Sequence, residues 1–126
     1  IKQGLPTLST CAGTIILAKS VIDGDTHIPN IDIEIQRNAY GRQNESFEAN
    51  VRFLNNNDIY CFIRAPRILR TLNNDVNVIA THIEDIVGVS QNNIVSFTYH
   101  PELTNDNYYL EWLFAFMKEG KYVGSF

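Results

Sequence analysis

Strict alternation of apolar and polar residues in two separate stretches limits this chain to folds with a half-buried sheet. Ile31, Ile33 and Ile35 alternate with Asp32, Glu34 and Gln36, and Phe47, Ala49, Val51 and Phe53 alternate with Glu48, Asn50 and Arg52. A period of two puts alternate side chains on opposite faces of a strand. Asn55-Asn56-Asn57-Asp58 reads as the turn into a third strand, Ile59 to Arg64. Val76 to His82 and Ile86 to Ser90 read as a strand pair joined at Glu84-Asp85. Gln91-Asn92-Asn93 then turns into Ile94 to Tyr99, a run rich in β-branched and aromatic residues.

The two ends of the chain read differently from this β-rich middle. Leu5 to Ser9 is expected to be a short strand, with Pro6 near its start, where a missing N–H is tolerated. Cys11-Ala12-Gly13 is a sharp turn, Thr14 to Lys19 an unbroken apolar run expected to form a buried helix, and Asp23-Gly24-Asp25 a loop. Near the other end Thr104 is a candidate helix N-cap, with Asp106 in the first turn. Tyr109, Leu110, Leu113, Phe116 and Met117 recur at helical spacing, and Gly120 closes the run. The expected class is α/β: an open mixed sheet flanked by helices, with an antiparallel insertion. No repeat or linker interrupts the 126 residues, so residues 1–126 are read as a single domain.

Charge narrows the partners. A net charge of −4 argues against general affinity for nucleic acid or anionic membrane. The longest apolar runs, such as Thr14 to Ala18, are far too short to span a bilayer, and no secretory leader is visible. Two cysteines are too few for a disulfide scaffold and point to a reducing, cytoplasmic setting. The chain starts at Ile1 and its only methionine is Met117, so a processed or partial chain is expected. No His/Cys spacing suggests a metal.

Two segments have the form of reactive chemistry. Ser9-Thr10-Cys11-Ala12-Gly13 runs from strand end through a small-residue turn into a helix, the form of a nucleophile elbow. Such a turn lifts one side chain off the sheet edge, and the helix amides that follow favour a thiolate. Taken alone, Cys-Ala-Gly more often describes a buried, inert cysteine in a loop. In His100-Pro101-Glu102, Pro101 biases His100 toward extended geometry, so Glu102 can reach back to one ring nitrogen and leave the other to take a proton. Taken alone, this more often describes a strand-end histidine beside a solvated glutamate. Together, the two segments can meet at the carboxyl edge of one sheet, and Cys–His–Glu suits acyl transfer through a thioester.

Five segments in order carry a resemblance: Thr10-Cys11-Ala12-Gly13 followed by Ile15 to Lys19, Arg37-Asn38-Ala39-Tyr40-Gly41-Arg42-Gln43, Ser46-Phe47-Glu48, Phe62-Ile63-Arg64-Ala65-Pro66, and His100-Pro101-Glu102-Leu103-Thr104. Over nearly the whole chain this resembles the triad-type class I glutamine amidotransferases, in particular the glutaminase branch of pyridoxal 5′-phosphate synthesis. The resemblance implies a flavodoxin-like domain, incomplete at its N-terminal side. It implies that Cys11 attacks the glutamine amide, His100 acts as base and acid, and Glu102 orients His100. It implies that Arg37, Ile63 and Arg64 bind L-glutamine, the guanidinium of Arg37 offering two parallel donors to a carboxylate. It further implies a partner synthase subunit that receives the ammonia, and a glutaminase that needs no metal or organic cofactor. The other readings are a non-catalytic partner-binding remnant of the same fold and the glutaminase of another class I synthase.

Two departures stand out. Ser9 occupies the position, two before the cysteine, where the family usually has glycine, and a side chain there could crowd the elbow or the pocket. The family's Gly-Gly-Glu-Ser loop, which helps form the oxyanion hole, would precede Ile1.

Overall fold

The computed structural model describes residues 5–22, 24–37, 46–104 and 107–120. The chain opens with strand β1 (Thr7–Thr10), helix α1 (Ala12–Leu17) and strand β2 (Ala18–Val21). Strands β3 (Ile31–Gln36), β4 (Ser46–Phe53), β5 (Asn56–Ile63), β6 (Arg67–Thr71), β7 (Asn77–His82), β8 (Asp85–Gln91) and β9 (Ile94–Phe97) follow. A 3₁₀ turn (Pro101–Leu103) and helix α2 (Asn107–Glu119) close the described chain.

Among the described residues all nine strands form one mixed sheet, with β1 parallel to β9, β2 parallel to β3, and the other pairs antiparallel. Strand β8 is its hub. One edge of β8 takes β7; the other takes β6 at Ile86 and then β9 from Gly88 onward. Gly88 has to lack a side chain, because a Cβ there would lie 2.7 Å from the Ala80 Cβ and 2.9 Å from the Phe97 ring.

Two cores result. One is aromatic, with Phe53, Tyr60, Phe62, Phe97 and Tyr99 of the sheet region packed against Tyr109, Trp112 and Phe116 of α2. The other is aliphatic and gathers Leu17, Ala18, Val21, Ile31, Ile33, Ile35, Ile68, Val89 and Ile94. The isoleucine alternation of β3 therefore points into the aliphatic core, as its period requires.

The structure corrects several expected elements. Helix α1 starts at Ala12 and ends at Leu17; Ala18 is extended, and with Lys19 it belongs to β2, paired with β3. A short apolar run suits helix or strand equally, and pairing with Ile31 decides it. The turn expected at Asn55–Asp58 is a two-residue turn at Leu54-Asn55, because Phe53 pairs with Asn56 and the polar residues beyond belong to β5. Similarly, Ile83-Glu84 joins β7 to β8, and Asp85 already pairs with His82. Strand β6 has no alternation to announce it; only Ile68 of its residues is buried. Tyr99 lies beyond the end of β9.

Thr104 is extended and closes the 3₁₀ turn rather than directly preceding α2; Asp106 lies outside the described residues. The buried stripe of α2 is Tyr109, Trp112 and Phe116, whereas Leu110 and Met117 face outward.

Candidate active site

Both chemistry-bearing segments leave the sheet at neighbouring strand ends. β1 and β9 run parallel with Thr10 opposite Phe97, so Cys11 and the segment leading to His100 emerge from the same edge. Carboxyl ends of adjacent parallel strands are where open α/β sheets place their sites. Cys11 adopts φ 50° and ψ −115°, a conformation that costs a non-glycine residue about 1–3 kcal/mol and persists only where the surroundings enforce it. Its N–H donates to the Phe97 carbonyl at 2.9 Å, and its carbonyl accepts the Thr14 N–H at 3.0 Å. The expected elbow is thus present as backbone geometry.

Strand β5 joins the two halves. The Cys11 thiol donates to the Ile63 carbonyl at 3.3 Å, with the Arg64 carbonyl at 3.8 Å. The His100 N–H donates to the Cys61 carbonyl at 2.9 Å, as an isolated antiparallel bridge. Carbonyls two residues apart on a strand point to the same side and sit roughly 6.6 Å apart. The sulfur and the imidazole-bearing residue therefore hang side by side from one strand edge. His100 Nδ1 lies 2.7 Å from Glu102 Oε2, which leaves Nε2 as the ring nitrogen for proton transfer.

The electrostatics of Cys11 differ from the sequence expectation. Burial pushes its thiol pKa up; the Ala12 N–H works in the opposite direction, and the Glu102 carboxylate adds to the rise. Helix α1 is short, and its amides do not overcome the loss of solvent around the sulfur. The rise favours the thiol over the thiolate, which suits a site where a base takes the sulfur's proton.

The remaining predicted residues divide. Ile63 and Arg64 border the thiol through their backbone carbonyls, and Arg64 holds φ 46°, a second positive-φ residue at the same place. Arg37 follows β3 at the end where Gln36 pairs with Arg67, just past Arg64, and its guanidinium lies against Gly24. The rest of its motif, residues 38–43, lies outside the described residues.

Ser9 is accommodated inside the fold. It is 7 % exposed and turns beneath the elbow, where its hydroxyl meets those of Thr14 and Ser96. The sequence reading missed Thr14 and Ser96, and it missed that backbone carbonyls of β5 face the sulfur. Carbonyls leave no mark in a sequence, and the one available signal was the serine at a glycine position. Two surface hollows that share Arg52 and Thr81 are lined by neither Cys11 nor His100. Among the described residues, no three His, Cys, Asp or Glu side chains gather as a metal site requires.

With this geometry in view, the comparisons with known proteins are specific. The model of the SNO glutamine amidotransferase family matches residues 1–119. The chain belongs to that family. It is 44 % identical over 110 residues to the pyridoxal 5′-phosphate synthase subunit PdxT of Thermococcus onnurineus, covering 83 % of this chain and 56 % of the relative. A PdxT of Bacillus cereus is 40 % identical over 123 residues, covering 95 % of this chain and 62 % of the relative. A crystal structure of a glutamine amidotransferase superposes with a TM-score of 0.78 at 32 % identity, covering 88 % of this chain and 60 % of that one. The class I amidotransferase fold implied by the sequence is therefore the fold observed. The chain spans less than two thirds of the length of these relatives.

Proposed function

We propose that this chain is the catalytic portion of a glutaminase that hydrolyses L-glutamine to glutamate and ammonia and passes the ammonia to a pyridoxal 5′-phosphate synthase subunit. The observation that carries the reading is the shared strand edge: the Cys61 and Ile63 carbonyls of β5 hold the His100 backbone and the Cys11 sulfur. Family membership supplies the substrate class, and the named relatives supply the pathway. A cytoplasmic setting is part of the proposal, supported by two free cysteines. Among the described residues no helix is long and apolar enough to cross a membrane.

In this reading His100 removes the Cys11 proton, and the sulfur attacks the side-chain amide carbon of glutamine. The tetrahedral adduct collapses as His100 returns that proton to the leaving nitrogen, which departs as ammonia. Water then gives a proton to His100 and its oxygen to the acyl carbon; the thioester breaks, glutamate leaves, and the proton restores the thiol. Glu102 holds the ring and stabilises its charged form throughout. Arg37 takes the α-carboxylate of glutamine, and Ile63 and Arg64 line the same pocket.

Labelling of the full-length protein with a glutamine-like electrophile tests the reading. Modification of Cys11 with Cys61 untouched is expected. Equal labelling of both, or of neither, would favour a partner-binding module without catalysis. Copurification with a different synthetase would move the chemistry to another pathway.

A further inference from the structure

Beneath the elbow, three buried hydroxyls join into one chain. Ser9 Oγ lies 2.6 Å from Ser96 Oγ and 3.0 Å from Thr14 Oγ1, and Thr14 Oγ1 donates to the Phe97 carbonyl at 2.7 Å. That carbonyl is the one that accepts the Cys11 N–H. The Thr14 N–H in turn donates to the Cys11 carbonyl. Thr14 therefore reaches both peptide groups flanking the Cys11 Cα, one directly and one through a shared acceptor.

Burial makes these bonds consequential. Thr14 and Ser96 have no solvent exposure, and a buried hydroxyl without a partner costs about 1–3 kcal/mol. Elsewhere in the same sheet region that cost is borne: Ser90 Oγ and Thr98 Oγ1 are buried with no hydrogen-bond partner among the described residues. The satisfied hydroxyls converge instead on Cys11, which holds φ 50° and ψ −115°.

We propose that Ser9, Thr14 and Ser96 form a hydroxyl latch that holds Cys11 in its raised conformation, with Thr14 as a positioning residue for the chemistry at the sulfur. The latch rests on Cys11 being the nucleophile. Ser9, at the usual glycine position, is then the link that connects Ser96 of β9 to Thr14 of α1. Loosening the latch lets the peptide at residue 11 relax and moves the sulfur relative to His100. Such displacement affects the reaction step more than the binding of glutamine, which other residues carry out.

The test is steady-state glutaminase kinetics of the full-length protein with its synthase partner present. Thr14→Val keeps the shape and removes the hydroxyl; kcat is expected to fall about tenfold or more, with KM within about twofold of the parent. Thr14→Ser returns the hydroxyl and is expected to restore most of kcat. An unchanged kcat in Thr14→Val, or equal losses in both variants, would overturn the latch. Should Thr14→Val fail to fold, Ser96→Ala decides: a severalfold fall in kcat supports the latch and an unchanged kcat refutes it. Cys11→Ala separates the two ideas, since ammonia release surviving in that variant would refute the nucleophile assignment itself.

Discussion

The two faces of the sheet hold their halves of the candidate site by opposite means. On the aliphatic side, α1 is short and few side chains of the elbow are large; Cys11 is fixed by hydrogen bonds to Phe97 and Thr14 and by hydroxyls below it. On the aromatic side, Tyr99 packs its ring against Tyr60, Phe62 and Phe97, and His100 follows directly from that anchor. Trp112 stacks on Phe116 and meets Phe53 and Phe97 edge to face, tying α2 to the same group. Hydrogen bonds are directional and suit a strained backbone that must stay in one conformation. Aromatic packing is worth more free energy and tolerates an exposed, polar segment beyond it. One half of the candidate site is positioned by polar geometry and the other by apolar mass, with β5 as the common rail.

Four perturbations would break or sharpen that comparison. Cys11→Ala is expected to remove glutaminase activity by about 10⁴-fold or more, with thermal stability close to that of the parent; ammonia release measures it. Trp112→Ala should act in the reverse sense, costing about 3–5 kcal/mol in chemical denaturation, because it empties the centre of the aromatic core. Losses of equal size in both assays for both variants would erase the distinction between the faces.

Glu102→Gln is expected to lower kcat by about 10–100-fold with stability unchanged, since Glu102 is exposed and its contact is with the His100 ring. The smallest effect concerns the aliphatic side. Gln91 and Asn73 donate to the Asp32 carboxylate and Lys19 lies beside it, and these contacts hold its pKa below the usual value. A lowered folded-state pKa contributes stability that is present above the unfolded value and is lost as pH falls through the folded one. Urea midpoints measured at about pH 5 and about pH 3 should therefore fall more in the parent than in Gln91→Leu.

The legible part of this protein was the part written in local periodicity and side-chain chemistry. Ile31, Ile33 and Ile35 announced a strand because alternation has a single geometric meaning, and Phe47 to Phe53 did the same. Cys11 before Ala12-Gly13 announced an elbow, and His100 before Pro101-Glu102 announced a ring that Glu102 can reach, because both follow from local backbone geometry. What tertiary structure alone decided was every feature that depends on a neighbour distant in sequence. Ala18 is strand because β3 lies beside it, and Leu54-Asn55 rather than the polar run makes the turn because Phe53 pairs with Asn56. The Cys11 thiol sits above its ordinary pKa because the fold removes water from it, an effect no local pattern encodes. Ser9 looked like an obstruction in the sequence and lies beneath the elbow in the fold, because only the packed sheet brings Ser96 and Thr14 within reach of its hydroxyl.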